Sequence, residues 1–532
     1  MIYLLAAAML FGLAQADTAL LKTAEGVTTD EIAAHIRFLS DDLVEGRGIG
    51  ARGGYLAELY IETMYRHYGL EPAFGESYRQ EVTLQGATPD PETVLEFIAP
   101  GGEKSSFDFG EDFVAVYPFP RSEKTLEAEL VYVGYGIVAP GYEWDDYKDT
   151  DVRGKIVVIQ VNEPRPDLPE LFEGRTLTYF GRWIYKYQEA ARQGAAGALL
   201  IHSTEDAGYS WSVVRNSWAG EAFFVPGTPD ILPLRSWING ETALKLMAMA
   251  GKDLAAQRAA AQERSFQPVP LGVRVRITAD NKYRKVISHN IVGVARGKAP
   301  AQSAKAVVFS AHHDHFGIGE GEGDQIYNGA LDNGSALAAL LAMARVCGEN
   351  QGVLSHDVVF LACAAEEELM LGSDYFVRNP SLPAERIVAN LNFEMTNVWG
   401  EADDMLAIGA QYSDLQELIE GVAAGHGMTV SPESAPEQGY FYRSDQVSFA
   451  RAGIPATWID LGEKLRGRPE GYGKKLRDDY RANCYHQVTD EFDPEWELTG
   501  TQQIIRLCTE LLLAIDRRAE PIRWKEHSPF RR

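Results

Sequence analysis

Apolar positions change their spacing along the chain. Near the start Ile32, Ile36 and Leu39 recur every three to four residues, and Leu56, Leu59, Tyr60 and Met64 repeat the pattern. This predicts two amphipathic helices, the first opened by a capping box of Thr28 and Glu31. Between about 92 and 275 the runs are short and β-rich, such as Leu130-Val131-Tyr132-Val133 and Lys155-Ile156-Val157-Val158-Ile159, and Pro-rich turns separate them. One clear helix, around Tyr185 to Arg192, leads through Gly194-Ala195-Ala196-Gly197 into a buried strand at Ala198-Leu199-Leu200-Ile201. From about 285 onward apolar strands alternate with helices. The strands are Asn290 to Val294, Ala306 to Ser310, Val358 to Ala362, Ile387 to Phe393 and Ala456 to Ile459, and the helices fall near 335–347, 413–425 and 499–516. The pattern predicts an α/β fold in which a mixed, mainly parallel β-sheet flanked by helices is built from 17–91 and 276–532, with a β-rich domain, 92–275, inserted.

Length and charge narrow the picture. A chain of 532 residues exceeds what one core serves, and 45% hydrophobic with 24% charged residues is an ordinary globular composition. The formal net charge of -26 excludes a nucleic-acid partner, since a phosphate backbone needs a basic surface. Residues 1–16 are apolar, too short to span a bilayer, and end in Ala14-Gln15-Ala16, which reads as a signal peptide although it lacks Lys or Arg. A periplasmic or secreted protein without a membrane anchor is expected. No signature of a particular oligomeric state is present. Cys347, Cys363, Cys484 and Cys508 contain no C-x-x-C pair, so any metal must be held by His and carboxylate.

Metal-capable residues recur just beyond the C-terminal ends of the strands, where open α/β sheets place their ligands. The strand at 306–310 runs into Ala311-His312-His313-Asp314-His315, and the loop beyond reaches Asp332-Asn333. The strand at 358–362 runs into Glu366-Glu367, the strand at 387–393 into Glu394, and a last loop carries Tyr485-His486 with Asp490 and Asp493 behind. Taken singly these are a turn, a solvated acidic pair, a helix start and a surface histidine. Together they put several acidic groups at one sheet edge, which is costly unless they are paired or metal-bound. Imidazoles and carboxylates suit two zinc ions, because a carboxylate can bridge two cations, and a bridging water between them becomes hydroxide-like near neutral pH. Adjacent Glu366 and Glu367 point to different sides, so that one ligates while the other shuttles protons.

The motifs AHHDHFG (311–317), NGALDNGSA (328–336), EEELMLGS (366–373), NFEM (392–395) and YHQVTDEFD (485–493) resemble the zinc aminopeptidases and carboxypeptidases of peptidase family 28 in order and spacing. The resemblance implies that His312, Glu394 and Asp332 serve one zinc ion and Glu367, His486 and Asp332 the other, with Glu366 as general base. It further implies that Asp314 orients His312 through its carboxylate, and that the Asp332–Asn333 peptide is cis. Glu394 stands where many members have Asp, one methylene shorter. The segment DVRGKIVVI (151–159) and YQEAARQGAAGALLIH (187–202) look like a protease-associated domain. Tyr440, Tyr442 and Arg443 are candidates for substrate binding, a Tyr hydroxyl as oxyanion donor. The resemblance thus implies a secreted zinc exopeptidase acting on peptides, an aminopeptidase with a metal-bridging hydroxide. A carboxypeptidase or dipeptidase, with Arg443 on a free carboxylate, is the nearest alternative. A glutaminyl-cyclase-like single-zinc transferase and an inactive receptor-like homologue are less compatible with a complete ligand set.

Overall fold

The computed structural model describes residues 17–164, 168, 171–301, 303–526 and 528–531. The segment 1–16, read as a signal peptide, lies outside the described residues. The chain divides into two compact units, one of Met1–Val82, Ile287–Ser434 and Arg443–Arg532, the other of Thr83–Val286 and Ala435–Tyr442. These borders are wider than the 92–275 read from composition. They fall inside the strands Arg79–Thr88 and Lys282–Ala295, where a continuous strand offers no Pro-rich break to read.

The sheet of the first unit contains β1 (Lys282–Ala295), β2 (Ala306–His312), β3 (Asp357–Cys363), β4 (Ile387–Asn392), β5 (Asp404–Ile408), β6 (Thr429–Ser431) and β7 (Ala456–Leu461), in the order β1-β3-β2-β4-β7-β5-β6. Neighbours β3, β2, β4 and β7 run parallel, while β1 and β5 pair antiparallel to β3 and β7. Every residue of β2 and β3 is buried, as continuous apolar runs in a covered parallel sheet require. The rings of Phe360 and Phe393 stack on Phe309 at 5.8 and 5.6 Å. Helix Ala336–Gly348 packs on β2 and β3 and against helices Thr29–Leu39 and Thr499–Arg517. Among the described residues Ala330–Gly348 is the helix long and apolar enough to cross a membrane, but 94% of it is buried in this core.

Helix Thr29–Leu39 starts at Thr28, whose hydroxyl accepts from Glu31 N–H at 3.2 Å. It buries His35 between the hydroxyls of Tyr60 (2.8 Å) and Tyr68 (3.1 Å). Burial, reinforced by the charge of Arg345, lowers the His35 pKa from 6.5 to about 4. The unfolded chain therefore takes up a proton near pH 6.5 that the folded chain refuses until about pH 4, so His35 stabilises the fold above that window and loses its contribution as pH falls through it. Urea melts of His35→Gln and the unchanged protein at pH 7 and pH 4.5 should differ less at the lower pH, by up to about 3 kcal/mol. An equal difference at both pH values would refute this.

The second unit is built on a sheet ordered Lys104–Asp108, Val94–Ile98, Val269–Thr278, Thr125–Tyr132, Ile156–Gln160, Gly197–Ile201, Arg235–Ile238, Phe113–Val116. Besides Trp183–Arg192 it carries helices Trp211–Ala219, Gly240–Met249 and Leu254–Ala261, which the sequence pattern did not single out. Two of them are started by caps, Asn239 and Asp253 accepting from Thr242 and Ala256 N–H at 2.8 and 2.7 Å. All four cysteines are free thiols.

Candidate metal centre

Three neighbouring parallel strands deliver side chains to one edge of the first unit. His312 is the last residue of β2, Glu366 and Glu367 follow β3, and Glu394 lies just past β4. Asp332 comes from the helical turn Ala330–Ser335 that opens helix Ala336–Gly348, and the Asp332–Asn333 peptide is cis. His486 follows helix Tyr472–Asn483. Asp332 faces both ways. Its Oδ1 is 3.3 Å from His312 Nε2, and its Oδ2 is 3.3 Å from His486 Nε2. His312 Nε2 also meets Glu394 Oε1 at 3.2 Å, and His486 Nε2 meets Glu367 Oε2 at 3.4 Å.

A second set of groups holds the first in place. The Nδ1–H of His312 donates to the backbone carbonyl of Asp314 at 3.1 Å, whereas the Asp314 carboxylate is 3.9 Å away. Asp314 thus orients His312 through its main chain, and this corrects the role expected for its side chain. With Nδ1 donating there, Nε2 is the ring nitrogen left facing the acids. The Asp314 carboxylate instead accepts the backbone N–H groups of Glu366 (3.0 Å) and Glu367 (3.2 Å), fixing the turn that carries them. Asp490 does the same for Leu331 and Asp332, both at 3.0 Å. Ser444 donates its hydroxyl to Glu394 Oε2 at 2.5 Å, so the longer side chain at this position is braced on its far oxygen. His315 Nδ1 meets Glu367 Oε1 at 2.6 Å, opposite the oxygen that faces His486. Ala365, Met395 and His486 are non-glycine residues in the left-handed region, with φ of 53°, 41° and 57°. That conformation costs about 1–3 kcal/mol per residue, and here it lies at or beside candidate ligands.

Burial and mutual charge set the protonation of the cluster. Burial opposes a charge on His312, but Glu394, Glu366 and Asp332 outweigh it and raise its pKa well above the ordinary histidine value. Burial would raise Asp332, yet the bonds from His312 and His486 hold it well below the usual carboxylate range. Burial pushes Glu366 well above that range, with Glu394 and Glu367 adding to it against His312. It pushes Glu367 up to about 8 and Asp490 up to about 6, and lowers His315 to about 4, so that His315 is neutral near pH 7. The carboxylates thus draw a proton onto His312, and a bound cation is what displaces such a proton.

Two overlapping triads, His312–Asp332–Glu394 and His315–Asp332–Glu367, offer ligand atoms within 4.8 Å of one another. Nitrogen and oxygen donors of this kind, buried and sharing a carboxylate, fit zinc. The structure therefore gathers all of His312, Asp332, Glu366, Glu367, Glu394 and His486. Of the candidate substrate residues, Arg443 belongs to the first unit and acts electrostatically on Tyr485, next to His486. Tyr440 and Tyr442 are counted with the second unit, where Tyr442 packs on the Tyr179 ring at 5.9 Å. Sequence reasoning gave no role to His315, Ser444 or the buried Arg47. The third histidine of the HHDH run was the available signal for His315.

Comparison with known proteins bears on the family and the fold. Residues 290–512 match the profile described as Peptidase family M28, and residues 126–228 match that of the PA domain. A "Probable leucine aminopeptidase" of Arthroderma benhamiae is 29% identical over 171 residues, covering 31% of this chain and 45% of the relative. One of the same name from Trichophyton verrucosum matches equally. The match thus spans less than half of these relatives' length. The solved structure of the aminopeptidase from Aneurinibacillus sp. strain AM-1 shares the fold, with a TM-score of 0.52 at 20% identity over 97% of this chain and 100% of that one. Residues 290–512 of the α/β domain thus match peptidase family M28, and a region matching the PA domain is inserted ahead of them.

Proposed function

We propose that the chain is a secreted zinc exopeptidase that removes residues from the amino terminus of peptides. The observation that carries this reading is the split of Asp332, each carboxylate oxygen 3.3 Å from a different histidine. A carboxylate so placed suits a pair of cations. His312 and Glu394 would hold one and His486 and Glu367 the other, with Asp332 shared and His315 orienting Glu367. When bound, zinc supplies Lewis-acid polarisation of a water and of the scissile carbonyl. Glu366 is not needed as a ligand. Its backbone is pinned by Asp314, and as a carboxylate beside the ligands it can take the proton of the attacking water and pass it to the leaving amine nitrogen. The surrounding acids attract a free α-ammonium, and the relatives named as aminopeptidases support the same end of the peptide. Export rests on the apolar segment 1–16 and its Ala14-Gln15-Ala16 ending.

The test is a panel of aminoacyl substrates and their N-acylated counterparts, assayed with zinc and after chelation. Only the unblocked set should be cleaved, with activity lost on chelation and restored by zinc. Equal cleavage of blocked peptides would overturn the reading, and cleavage that requires a free carboxyl terminus would assign the site to a carboxypeptidase.

A further inference from the structure

The run Asp42–Arg47 makes a tight turn between helices Thr29–Leu39 and Arg52–His67, with Glu45, Gly46 and Arg47 all in the left-handed region. It drives the Arg47 side chain into the first unit, where it is 0% exposed. All five guanidinium N–H groups meet backbone carbonyls. Nε donates to His313 (3.0 Å), Nη1 to Leu39 (2.5 Å) and Asn328 (2.6 Å), and Nη2 to Gly329 (2.9 Å) and Asp332 (3.2 Å). Among the described residues no carboxylate takes any of these donors, so the contact is not an ion pair. Its charge is balanced at longer range by Asp332, Asp490, Asp314 and Glu367.

Four of those carbonyls belong to the two loops that present His312 and Asp332. We propose that Arg47 is the positioning residue of the metal centre, a five-pronged clamp that fixes the 313–314 and 328–332 segments so that Asp332 faces both histidines. The clamp is tightly enclosed. A Cβ on Gly329 would lie 2.2 Å from the Asp332 carbonyl and 2.7 Å from Arg47 Nη2, and one on Gly46 would lie 2.4 Å from the Gly317 carbonyl. Lysine would keep the charge but has three donors on one nitrogen, and cannot span five carbonyls. This inference rests on the metal reading above.

The experiment compares zinc affinity, by competition with a chelator, in the full chain and in Arg47→Lys and Arg47→Met. It is run well below the melting temperature of the metal-free forms, and cobalt(II) absorption spectra serve as a second readout. Both variants should bind zinc about 10–100-fold more weakly, the scale for losing groups that orient ligands, and should show altered cobalt bands. A merely structural residue would lower the melting temperature and leave both readouts unchanged. Arg47→Lys that binds zinc as tightly as the unchanged chain, or fails to fold, overturns the proposal, since charge or folding alone would then be at stake. If the unchanged chain binds no zinc, the metal reading itself falls and the clamp with it.

Discussion

Glu366→Gln keeps the zinc content of the unchanged protein and lowers turnover by roughly 10²–10⁴-fold, the range over which a positioned general base contributes. The amide is isosteric with the acid and leaves the Glu366 N–H bond to Asp314 intact, so the turn that carries Glu367 stays as it is. What it removes is the ability to take up a proton. Because Glu366 is neither a candidate ligand nor a candidate substrate contact, the effect should appear in turnover rather than in substrate affinity. Zinc analysis beside steady-state kinetics decides it, and a variant with near-normal turnover would move the base elsewhere.

Asp332→Ala goes further. Both halves of the site use this carboxylate, and each histidine that faces it loses an oxygen partner at 3.3 Å. Zinc content should fall to at most one ion per chain, and turnover by about three orders of magnitude or more, the equivalent of roughly 4 kcal/mol of transition-state stabilisation. Metal analysis after dialysis reads the first effect and kinetics the second. A variant that retains a full pair of ions would show that Asp332 does not bridge. Comparison with Glu366→Gln then separates loss of metal from loss of the proton carrier.

The candidate ligands were legible in the sequence because of how parallel strands end. β2 and β3 are largely apolar runs, so the metal-capable residues at or just beyond the strand ends, His312, Glu366 and Glu367, and Glu394 past β4, mark those ends directly. Asp332 stood out at the start of an unusually apolar helix. The supports were not legible in the same way. Arg47 lies 266 residues from the His313 carbonyl it binds, and backbone acceptors leave no trace in residue identity. Ser444 lies 50 residues from Glu394, next to Arg443 in a stretch read for substrate binding and not for support of a ligand. Asp314 was visible, but its work on the Glu366 and Glu367 N–H groups could not be told from a bond to His312, because both require only a carboxylate two residues past that histidine. The short helices of the inserted unit were missed for a related reason. Their starts depend on single capping residues, Asn239 and Asp253, rather than on a long apolar stripe.

The proposed metal centre is a pair of ions that share Asp332. Crystals grown with zinc and measured at the zinc absorption edge test it most directly. Two anomalous peaks are expected, one beside His312 and Glu394 and the other beside His486 and Glu367, with an Asp332 oxygen on each. A single peak, or a pair that does not share Asp332, would contradict it.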